Sequence, residues 1–404
     1  MPSILFINRV YPPESGATGR VLEYVAHGFV DAGWDVSVLT TAGERSDAGE
    51  EIRGGVKVVR IASGFSKKSL IARALGYALM IPSLLLKAVM LPRADVVVTK
   101  TDPPMLLILG PFLKVLKGSK LIHWAQDLYP EIAEEAGVLP KGGAGGMVTA
   151  LLRLLSSLSM RSHDLTLAVG RCMIGHLKAR GIPEERIRVV TNAGVEDDIV
   201  PVSRENNDFR KRHGLAGAFV VEYSGNLGRA HDFGTVLEAA RLLEERGERG
   251  ELGVRFLFVG GGPGEGLLRG EVARMGLSSI LFLPPQPVAL LSESLGAGDL
   301  HLVTMKSEMA GLVVPSKFYG VMAAGRPCLF VGPECSEVAR VIREQGVGEV
   351  IAPGDAQALV MAILRYRGAP EVREQAGGRG RIFLKEVDSL GLFLKCAADL
   401  VESP

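Results

Sequence analysis

The strongest constraint on the fold is a regular alternation along the chain. Short apolar runs rich in β-branched residues are followed by longer segments of helical period, and the alternation restarts near residue 219. The predicted strands cover residues 4–8, 35–40, 56–61, 95–99, 120–124, 165–169 and 187–190, and then 219–224, 254–259, 280–283, 300–305, 328–331 and 349–351. Strands that alternate with helices form parallel sheets covered on both faces. The sequence therefore predicts an α/β fold of two doubly wound, Rossmann-like domains that face each other across a cleft.

The length agrees with two domains. A chain of 404 residues exceeds the roughly 250–300 residues at which one hydrophobic core stops growing. We predict an N-terminal domain over residues 1–200 and a C-terminal domain over 201–378. A final helical segment, 379–404, follows the glycine pair Gly377-Gly378, and we expect it to pack back on the first domain.

Charge and motif patterns exclude several classes of function. The 46 basic and 45 acidic residues almost cancel, so the field needed to hold nucleic acid through its phosphates is missing. No Asp-x-Asp pair ends an apolar strand, and no cysteine–histidine cluster is present, so we expect neither a metal nor another cofactor. The N-terminus begins with an apolar core strand rather than a signal peptide, which predicts a cytoplasmic protein.

Residues 67–93 form an apolar segment with basic residues in or beside it. The basic residues are Lys67, Lys68, Arg73, Lys87 and Arg93. The uncharged part, 74–86, contains Pro82 and is shorter than the roughly 20 residues that a membrane span needs. Two interpretations remain open: a helix in the membrane interface with its bases toward anionic headgroups, or a buried core helix.

Glycine-bearing turns follow several predicted strands, where the carboxyl ends of parallel strands bind ligands. In the second domain these turns offer backbone amides to an anion, next to helix N-termini. The candidate ligand-binding residues are Gly225, Asn226, Arg229 and His231 after one strand, Gly261 and Gly262 after the next, and Gly16 in the first domain.

The run from Glu308 to Pro327 is the most informative segment. Pro315 and Ser316 precede a predicted helix that Gly325 ends, and Lys317 falls in its first turn. The helix dipole favours carboxylates there, so a lysine at this position indicates an anionic ligand shared with the exposed amides.

A further group of polar residues follows the predicted strand 120–124 in the first domain. His123, Asp127 and Glu131 lie close to the carboxyl end of that strand, where acid and base groups are commonly placed. We interpret His123 and Asp127 as candidate catalytic residues.

At these residues the sequence resembles the family 4 retaining glycosyltransferases of the GT-B fold, most closely the fucosamine-type or colanic-acid-type branch. The run 314–327, the turn 223–228 and the segment 127–131 carry the resemblance. It implies that the second domain binds a nucleotide sugar, a UDP-sugar in this branch, and that the first domain binds the acceptor.

The resemblance also assigns individual residues. It places Glu308 on the hydroxyls of the donor sugar and Ser316 and Lys317 beside the diphosphate. The family's second glutamate, which grips the ribose, is replaced by Gly320, and we transfer that role to Glu337. Asn226 and His231 stand where the family commonly has diphosphate-binding bases, which leaves Arg229 and Lys317 as substitutes.

The resulting hypothesis is a metal-independent, retaining transfer of a sugar to a polyprenyl-diphosphate-linked acceptor, at the inner face of the cytoplasmic membrane. Residues 67–93 are the expected membrane contact. Two alternatives share the fold: a UDP-sugar 2-epimerase, and a non-catalytic subunit that binds a nucleotide sugar.

Overall fold

The computed structural model of the protein describes residues 1–14, 16–42, 48–62, 70–140, 142–196, 198–248 and 253–403, without the side chains of 17, 70–75 and 144. The chain divides into two compact units. The first comprises residues 1–195, 311–313 and 388–404, and the second comprises 196–310 and 314–387. Each unit is built on one sheet, so the predicted fold class of two α/β parallel-sheet domains is confirmed.

The first unit contains an eight-stranded sheet in the order β3-β4-β2-β1-β5-β6-β7-β8, parallel except for the β3–β4 pair. Its strands are β1 (Ser3–Ile7), β2 (Asp35–Ala42), β3 (Gly49–Arg53), β4 (Val56–Ala62), β5 (Val96–Thr99), β6 (Lys120–Ala125), β7 (Leu165–Ala168) and β8 (Ile187–Val189). Its helices are α1 (Ala17–Asp31), α2 (Leu70–Met90), α3 (Leu109–Lys117), α4 (Glu131–Glu135), α5 (Gly143–Ser162), α6 (Ile174–Ala179) and, at the end of the chain, α15 (Ser389–Glu402).

The second unit contains a six-stranded parallel sheet in the order β11-β10-β9-β12-β13-β14. Its strands are β9 (Phe219–Ser224), β10 (Val254–Val259), β11 (Ile280–Leu283), β12 (Leu300–Thr304), β13 (Cys328–Val331) and β14 (Gly348–Ile351). Its helices are α7 (Asp208–Arg212), α8 (Gly234–Glu245), α9 (Glu265–Met275), α10 (Leu291–Leu295), α11 (Lys317–Ala323), α12 (Glu337–Gln345), α13 (Ala356–Gly368) and α14 (Pro370–Glu386).

The strands form where the apolar runs predict them, because central parallel strands are buried on both faces. Every residue of β5, β7, β12 and β13 is buried. Sequence reasoning missed β3, whose five residues are all exposed and mostly polar. An antiparallel edge strand of this kind has no apolar run to reveal it.

The predicted helix break at Gly377-Gly378 is wrong, because α14 runs through both glycines and ends at Glu386. A β-carbon on Gly377 would lie 2.0 Å from the carbonyl oxygen of Gly325. This glycine therefore permits close backbone packing rather than ending the helix.

The last helix, α15, belongs to the first unit. The ring of Phe393 makes edge contacts with Phe6, Phe29 and Trp124, with centroid distances of 6.1, 5.4 and 4.9 Å. Thr191 and Ser389 also share a hydrogen bond of 2.7 Å. The C-terminal segment thereby completes the core on one face of the sheet.

The apolar segment forms α2, which has one buried and one exposed apolar face, and a membrane contact stays a prediction. Met80, Leu84 and Ala88 are buried against the sheet, whereas Leu79, Leu86 and Met90 are 63–72% exposed. Lys67 and Lys68, and the side chain of Arg73, lie outside the described residues. Across the described part of the chain, no helix is both long and apolar enough to cross a membrane.

Candidate functional site

Each sheet has one point at which the strand order reverses, and ligands of doubly wound domains bind at the carboxyl side of that point. In the second unit the reversal lies between β9 and β12, and in the first it lies between β1 and β5. Both places carry clusters of glycine or charged residues.

Two interlocked glycine loops follow β9 and β10 in the second unit. The amide of Leu227 donates to Gly261 O at 3.0 Å, and the amide of Gly264 donates to Leu227 O at 2.8 Å. Gly260 and Gly262 have φ of 144° and 152°, which side-chain-bearing residues rarely adopt. A β-carbon on Gly260 would lie 2.0 Å from Gly225 O, so glycine is required where these backbones meet.

The geometry corrects one detail of the predicted anion site. The amide of Gly225 donates to Val259 O at 2.9 Å and that of Gly260 to Leu283 O at 3.0 Å. These two amides are engaged within the sheet, so the two glycines shape the loops rather than bind a ligand through their own N–H groups.

Lys317 is the first residue of α11, and its side chain extends back over the β9 loop. Its Cε lies 3.1 Å from the β-carbon position of Gly225. The Nζ atom donates to Tyr223 Oη at 2.5 Å and to His231 Nε2 at 3.1 Å, and it lies 4.3 Å from the centroid of the Tyr223 ring. The lysine is therefore held in one place at the switch point.

The other hydrogen bonds of Tyr223 and His231 determine which atoms accept from Lys317. His231 Nδ1 faces the carbonyl oxygen of Thr304 at 2.7 Å and so donates to it, which leaves Nε2 as an acceptor for the ammonium. The hydroxyl of Tyr223 donates to Asn226 O at 2.8 Å and accepts from the lysine.

The charge of Lys317 is poorly compensated. Among the described residues no carboxylate lies within 4.0 Å of its Nζ, and burial lowers its pKa to about 7. A half-buried cation without a counterion stabilises an anionic ligand more than a solvated lysine does. This agrees with the anionic ligand predicted from its position in the helix.

His231 adds no charge to this site. Burial and the neighbouring Lys317 lower the pKa of its imidazole to about 3. The ring is therefore neutral at physiological pH, and its Nε2 accepts a hydrogen bond from the lysine.

The other predicted residues of the second unit are distributed along the same carboxyl edge. Asn226, Arg229, Gly262 and Glu308 are exposed, and Gly261 and Ser316 are half-buried. Glu308 lies in a single helical turn, Ser307–Met309, directly after β12. Lys306 N donates to Ala230 O at 2.9 Å, which ties the loop after β12 to the loop after β9.

The two positions connected with ribose binding, Gly320 and Glu337, are half-buried and buried, respectively. The β-carbon position of Gly320 faces Leu295 and Ile199 at 3.7 and 3.9 Å, which are apolar neighbours. Glu337 is buried at the first position of α12, after the Ser336 side chain that caps this helix. Ribose binding by Glu337 stays a prediction.

The first unit carries an ionic cluster after β1, β5 and β6, which are neighbours in the sheet. Arg9 and Asp102 form a two-pronged ion pair with distances of 2.7 and 2.9 Å. Lys100 is fully buried, donates to Thr18 O at 2.9 Å and lies 4.0 Å from the centroid of the Trp124 ring. Burial lowers the pKa of this lysine to about 7.

Asp127 follows β6 and lies within the electrostatic reach of this cluster. Burial and the charge of Asp102 raise its pKa to about 6, and Lys100 opposes that rise. Asp127 also pairs with Val313 in an isolated antiparallel bridge. The predicted site residue Gly16 precedes α1 at the same edge of the sheet, with its β-carbon position 3.0 Å from Val10 Cγ1.

The burial of His123 argues against its predicted catalytic role. The residue lies inside β6 and is fully buried. Its Nδ1 faces Thr99 O at 3.3 Å, and its ring lies 5.6 Å from that of His163. Burial lowers the pKa of His123 to about 3, so it is a neutral core residue.

Sequence reasoning missed Arg9, Lys100 and Asp102. Arg9 directly follows the first predicted strand and Lys100 directly follows the strand 95–99, with Asp102 two residues further on. A charged residue within three positions of the end of a buried strand is the signal that would have identified them.

Within the described ranges, no group of three or more histidine, cysteine, aspartate or glutamate residues is arranged to hold a metal ion. Lys317 at the start of α11, Arg229 after β9 and Lys306 after β12 are cations at this edge of the second unit. Independence from metal stays a prediction.

Comparison with known families now identifies the chain. Residues 16–193 match the family Glycosyl transferase 4-like domain, and residues 218–367 match Glycosyl transferases group 1. The two matches coincide with the two units and together cover most of the chain. The chain therefore belongs to the glycosyltransferases that combine these two domains, which have the GT-B fold.

Individual proteins are similar over shorter stretches. The probable glycosyltransferase WbjE of Pseudomonas aeruginosa is 31% identical over 271 residues, 67% of this chain and 66% of that protein. The putative colanic acid biosynthesis glycosyl transferase WcaI of Escherichia coli K12 is 26% identical over 259 residues, 62% of this chain and 61% of that protein. The match thus spans less than two thirds of either relative.

Among solved structures, Anabaena HepE in complex with UDP superposes with a TM-score of 0.70 at 16% identity, covering 99% of this chain and 100% of that one. The same protein has also been solved with UDP-glucose. At this identity the likeness establishes the fold.

Proposed function

We propose that this protein transfers a sugar from a UDP-sugar to a lipid-linked glycan acceptor, with retention of configuration and without a divalent cation. The observation that carries the proposal is Lys317, a half-buried ammonium without a carboxylate partner among the described residues, at the switch point of the second unit. Its surroundings suit a diphosphate, and HepE, which has the same fold, binds UDP and UDP-glucose.

The reaction breaks the bond between the anomeric carbon and the diphosphate oxygen and forms the new glycosidic bond on the same face of the sugar. The acceptor hydroxyl gives its proton to the departing diphosphate oxygen. Lys317, with Arg229, offsets the charge that develops on the diphosphate. We assign Glu308 to the hydroxyls of the donor sugar, and Asp127 to orienting the acceptor.

The proposed setting is the cell-surface polysaccharide pathway of the fucosamine-type or colanic-acid-type branch, and the relative WcaI is named a putative colanic acid biosynthesis glycosyl transferase. We propose that the protein is cytoplasmic and associates with the inner face of the membrane through residues 67–93. The exposed Leu79, Leu86 and Met90 of α2 support that contact.

UDP release tests the proposal directly. The protein is incubated with a panel of UDP-sugars, with and without a polyprenyl-diphosphate-linked acceptor, and in the presence or absence of EDTA. We expect release of UDP that requires the lipid-linked acceptor and persists in EDTA. A requirement for added divalent ions, or equal rates with a short soluble acceptor, would contradict the corresponding part of the proposal.

The same assay separates the alternatives. A 2-epimerase converts the UDP-sugar without releasing UDP and needs no acceptor, whereas a non-catalytic subunit shifts in thermal stability with the nucleotide sugar but yields no product.

The Asp127→Asn variant adds a test of the first unit, since it should lower the transfer rate while leaving the thermal shift induced by UDP unchanged.

UDP binding is expected to weaken as the pH rises above neutrality. Burial lowers the pKa of Lys317 to about 7 in the free protein, and a bound diphosphate favours the charged form and raises that pKa. The affinity for UDP is therefore highest below about pH 7, and it decreases as the pH rises from there toward the pKa of Lys317 in the bound state. Calorimetry should show about tenfold weaker binding at about pH 9, together with proton uptake on binding near neutral pH.

The Lys317→Met variant is the control for this pH dependence. It lacks the titrating group, so its weaker affinity should vary little over the same pH range. An equal slope in the variant would assign the titration to another group.

A further inference from the structure

The helix α5 buries polar side chains and exposes apolar ones, which is the reverse of a typical surface helix in a soluble domain. Its inward face carries Thr149, Ser156 and Ser159, all buried. Thr149 Oγ1 donates to Pro140 O and Ser156 Oγ donates to Tyr129 O, each at 3.0 Å. The outward face is aliphatic and is 40–75% exposed; its residues are Met147, Val148, Leu151, Leu154, Leu155 and Leu158.

This apolar face continues onto two neighbouring helices. The helix α3 packs against both α2 and α5 and exposes Phe112, Val115 and Leu116, the valine at 85%. The outward side of α2 adds Leu79, Leu86 and Met90. Many exposed apolar side chains on helices that pack together indicate an interaction site. We call the exposed apolar residues of these three helices the α2-α3-α5 face.

Charge distinguishes between the possible partners of this face. The sequences of α2, α3 and α5 contain no aspartate or glutamate but six lysines and arginines, although acids and bases balance in the whole chain. Lys117 Nζ donates to Leu91 O at 2.5 Å and Arg161 Nε donates to Arg180 O at 2.7 Å, so carbonyls rather than carboxylates accept from them.

Three other bases of these helices have acidic partners beyond them, the first being Lys87, which pairs with Glu50 at 3.1 Å. Lys114 pairs with Asp164 at 2.6 Å, and Arg153 pairs with Glu131 and Glu134. The three helices themselves contribute apolar side chains and bases to this face, and their acidic neighbours all come from other elements. An apolar surface with a basic surround fits the headgroup and acyl boundary of an anionic bilayer.

We infer that the α2-α3-α5 face is a docking surface for an anionic lipid bilayer, with α5 lying in the interface. This inference deepens the proposed function. It rests on that function only for the reason why the protein would bind a membrane. It moves the main contact from the predicted segment 67–93 to α5, whose leucines form the longest exposed row.

Co-sedimentation of the full chain with vesicles tests the inference. Vesicles of phosphatidylglycerol and phosphatidylcholine are compared with vesicles of phosphatidylcholine alone, in the absence of donor and acceptor. We expect wild type to bind the anionic vesicles at least tenfold more tightly. The triple variant Leu151→Gln, Leu154→Gln, Leu158→Gln should lose at least tenfold in binding to them.

A matched triple variant controls for the loss of apolar surface as such. Leu267, Met361 and Ile382 on the second unit are 57–78% exposed, and Leu267→Gln, Met361→Gln, Ile382→Gln should bind vesicles like wild type. Both triples should keep the wild-type thermal shift with UDP, which shows that the variants fold.

Three results would overturn the inference. These are wild-type binding by the α5 triple, equal binding of wild type to both kinds of vesicle, and a wild-type dimer that the α5 triple dissociates while vesicles bind neither. The last result would assign the face to a second copy of the chain. Vesicle binding without glycosyl transfer would instead refute the proposed function and leave the docking surface standing.

Discussion

The Lys317→Met variant should lose about 100- to 1000-fold in kcat for glycosyl transfer, the range seen when one preorganised electrostatic group is removed from a transition state. The negative charge on the diphosphate is greatest as the anomeric bond breaks, so the ammonium stabilises the transition state more than the bound donor. The KM for the UDP-sugar should therefore change by less than about tenfold. Steady-state kinetics with the lipid-linked acceptor measure both constants.

Two further variants test whether the loss of kcat comes from the missing charge rather than from a change in the fold. Lys211 is 58% exposed and pairs with Asp208 on α7, so Lys211→Met should retain full activity. Tyr223→Phe removes the hydroxyl that accepts from Lys317 but keeps the charge, and should lower kcat much less than Lys317→Met. An unchanged kcat in Lys317→Met would remove this lysine from the mechanism.

Replacing Lys317 should not destabilise the protein. Its ammonium is half-buried without a carboxylate among the described residues, and burial already disfavours its charged form. Methionine fills similar space without that desolvation cost. A thermal unfolding midpoint at or above that of wild type, together with the loss of kcat, would identify a group held in place for function at some expense to stability.

The sequence predicts the parallel sheets well, because burial on both faces requires apolar runs that stand out from the helices between them. The strands β9, β10, β11 and β13 begin and end where the pattern places them. Lys317 is predicted for a related reason, since a cation in the first turn of a helix conflicts with the helix dipole unless an anion is present.

Side-chain burial is the property that the sequence does not reveal at single positions. The sequence makes His123 and His231 candidate site residues, because the first lies near the end of a predicted strand and the second lies in the turn after one. Their neutral state results from packing by residues distant in the chain, such as His163 for the first and Lys317 for the second. The same holds for Gly377, whose contact partner Gly325 lies on another element.

The ionic cluster of the first unit has a similar origin. Arg9, Lys100 and Asp127 are far apart in sequence, and only the order β1-β5-β6 brings the residues after these strands together. The alternation along the chain predicts a parallel sheet but does not determine which strands are neighbours. The opposing effects of Lys100 and Asp102 on the pKa of Asp127 therefore emerge only from the structure.

The Gly260→Ala variant should be the most damaging single change to the glycine loops. Its β-carbon would lie 2.0 Å from Gly225 O and 2.9 Å from Gly225 C, and φ of 144° is unfavourable for alanine. Backbone has to move to relieve this contact, so we expect a loss of about 2–4 kcal/mol in the free energy of unfolding of the second unit. UDP affinity should fall with it, because the displaced β9 loop carries the backbone against which Lys317 lies.

Gly266→Ala provides the matched control on the following helix, α9. Nothing lies within 4 Å of its β-carbon position, and alanine in place of glycine inside a helix stabilises by about 0.5–1 kcal/mol. Denaturant unfolding, followed through the transition that UDP shifts, should move in opposite directions for the two variants. If Gly260→Ala unfolds like wild type and binds UDP equally well, the close approach of the two loops is not what shapes the site, and the donor binds elsewhere on the unit.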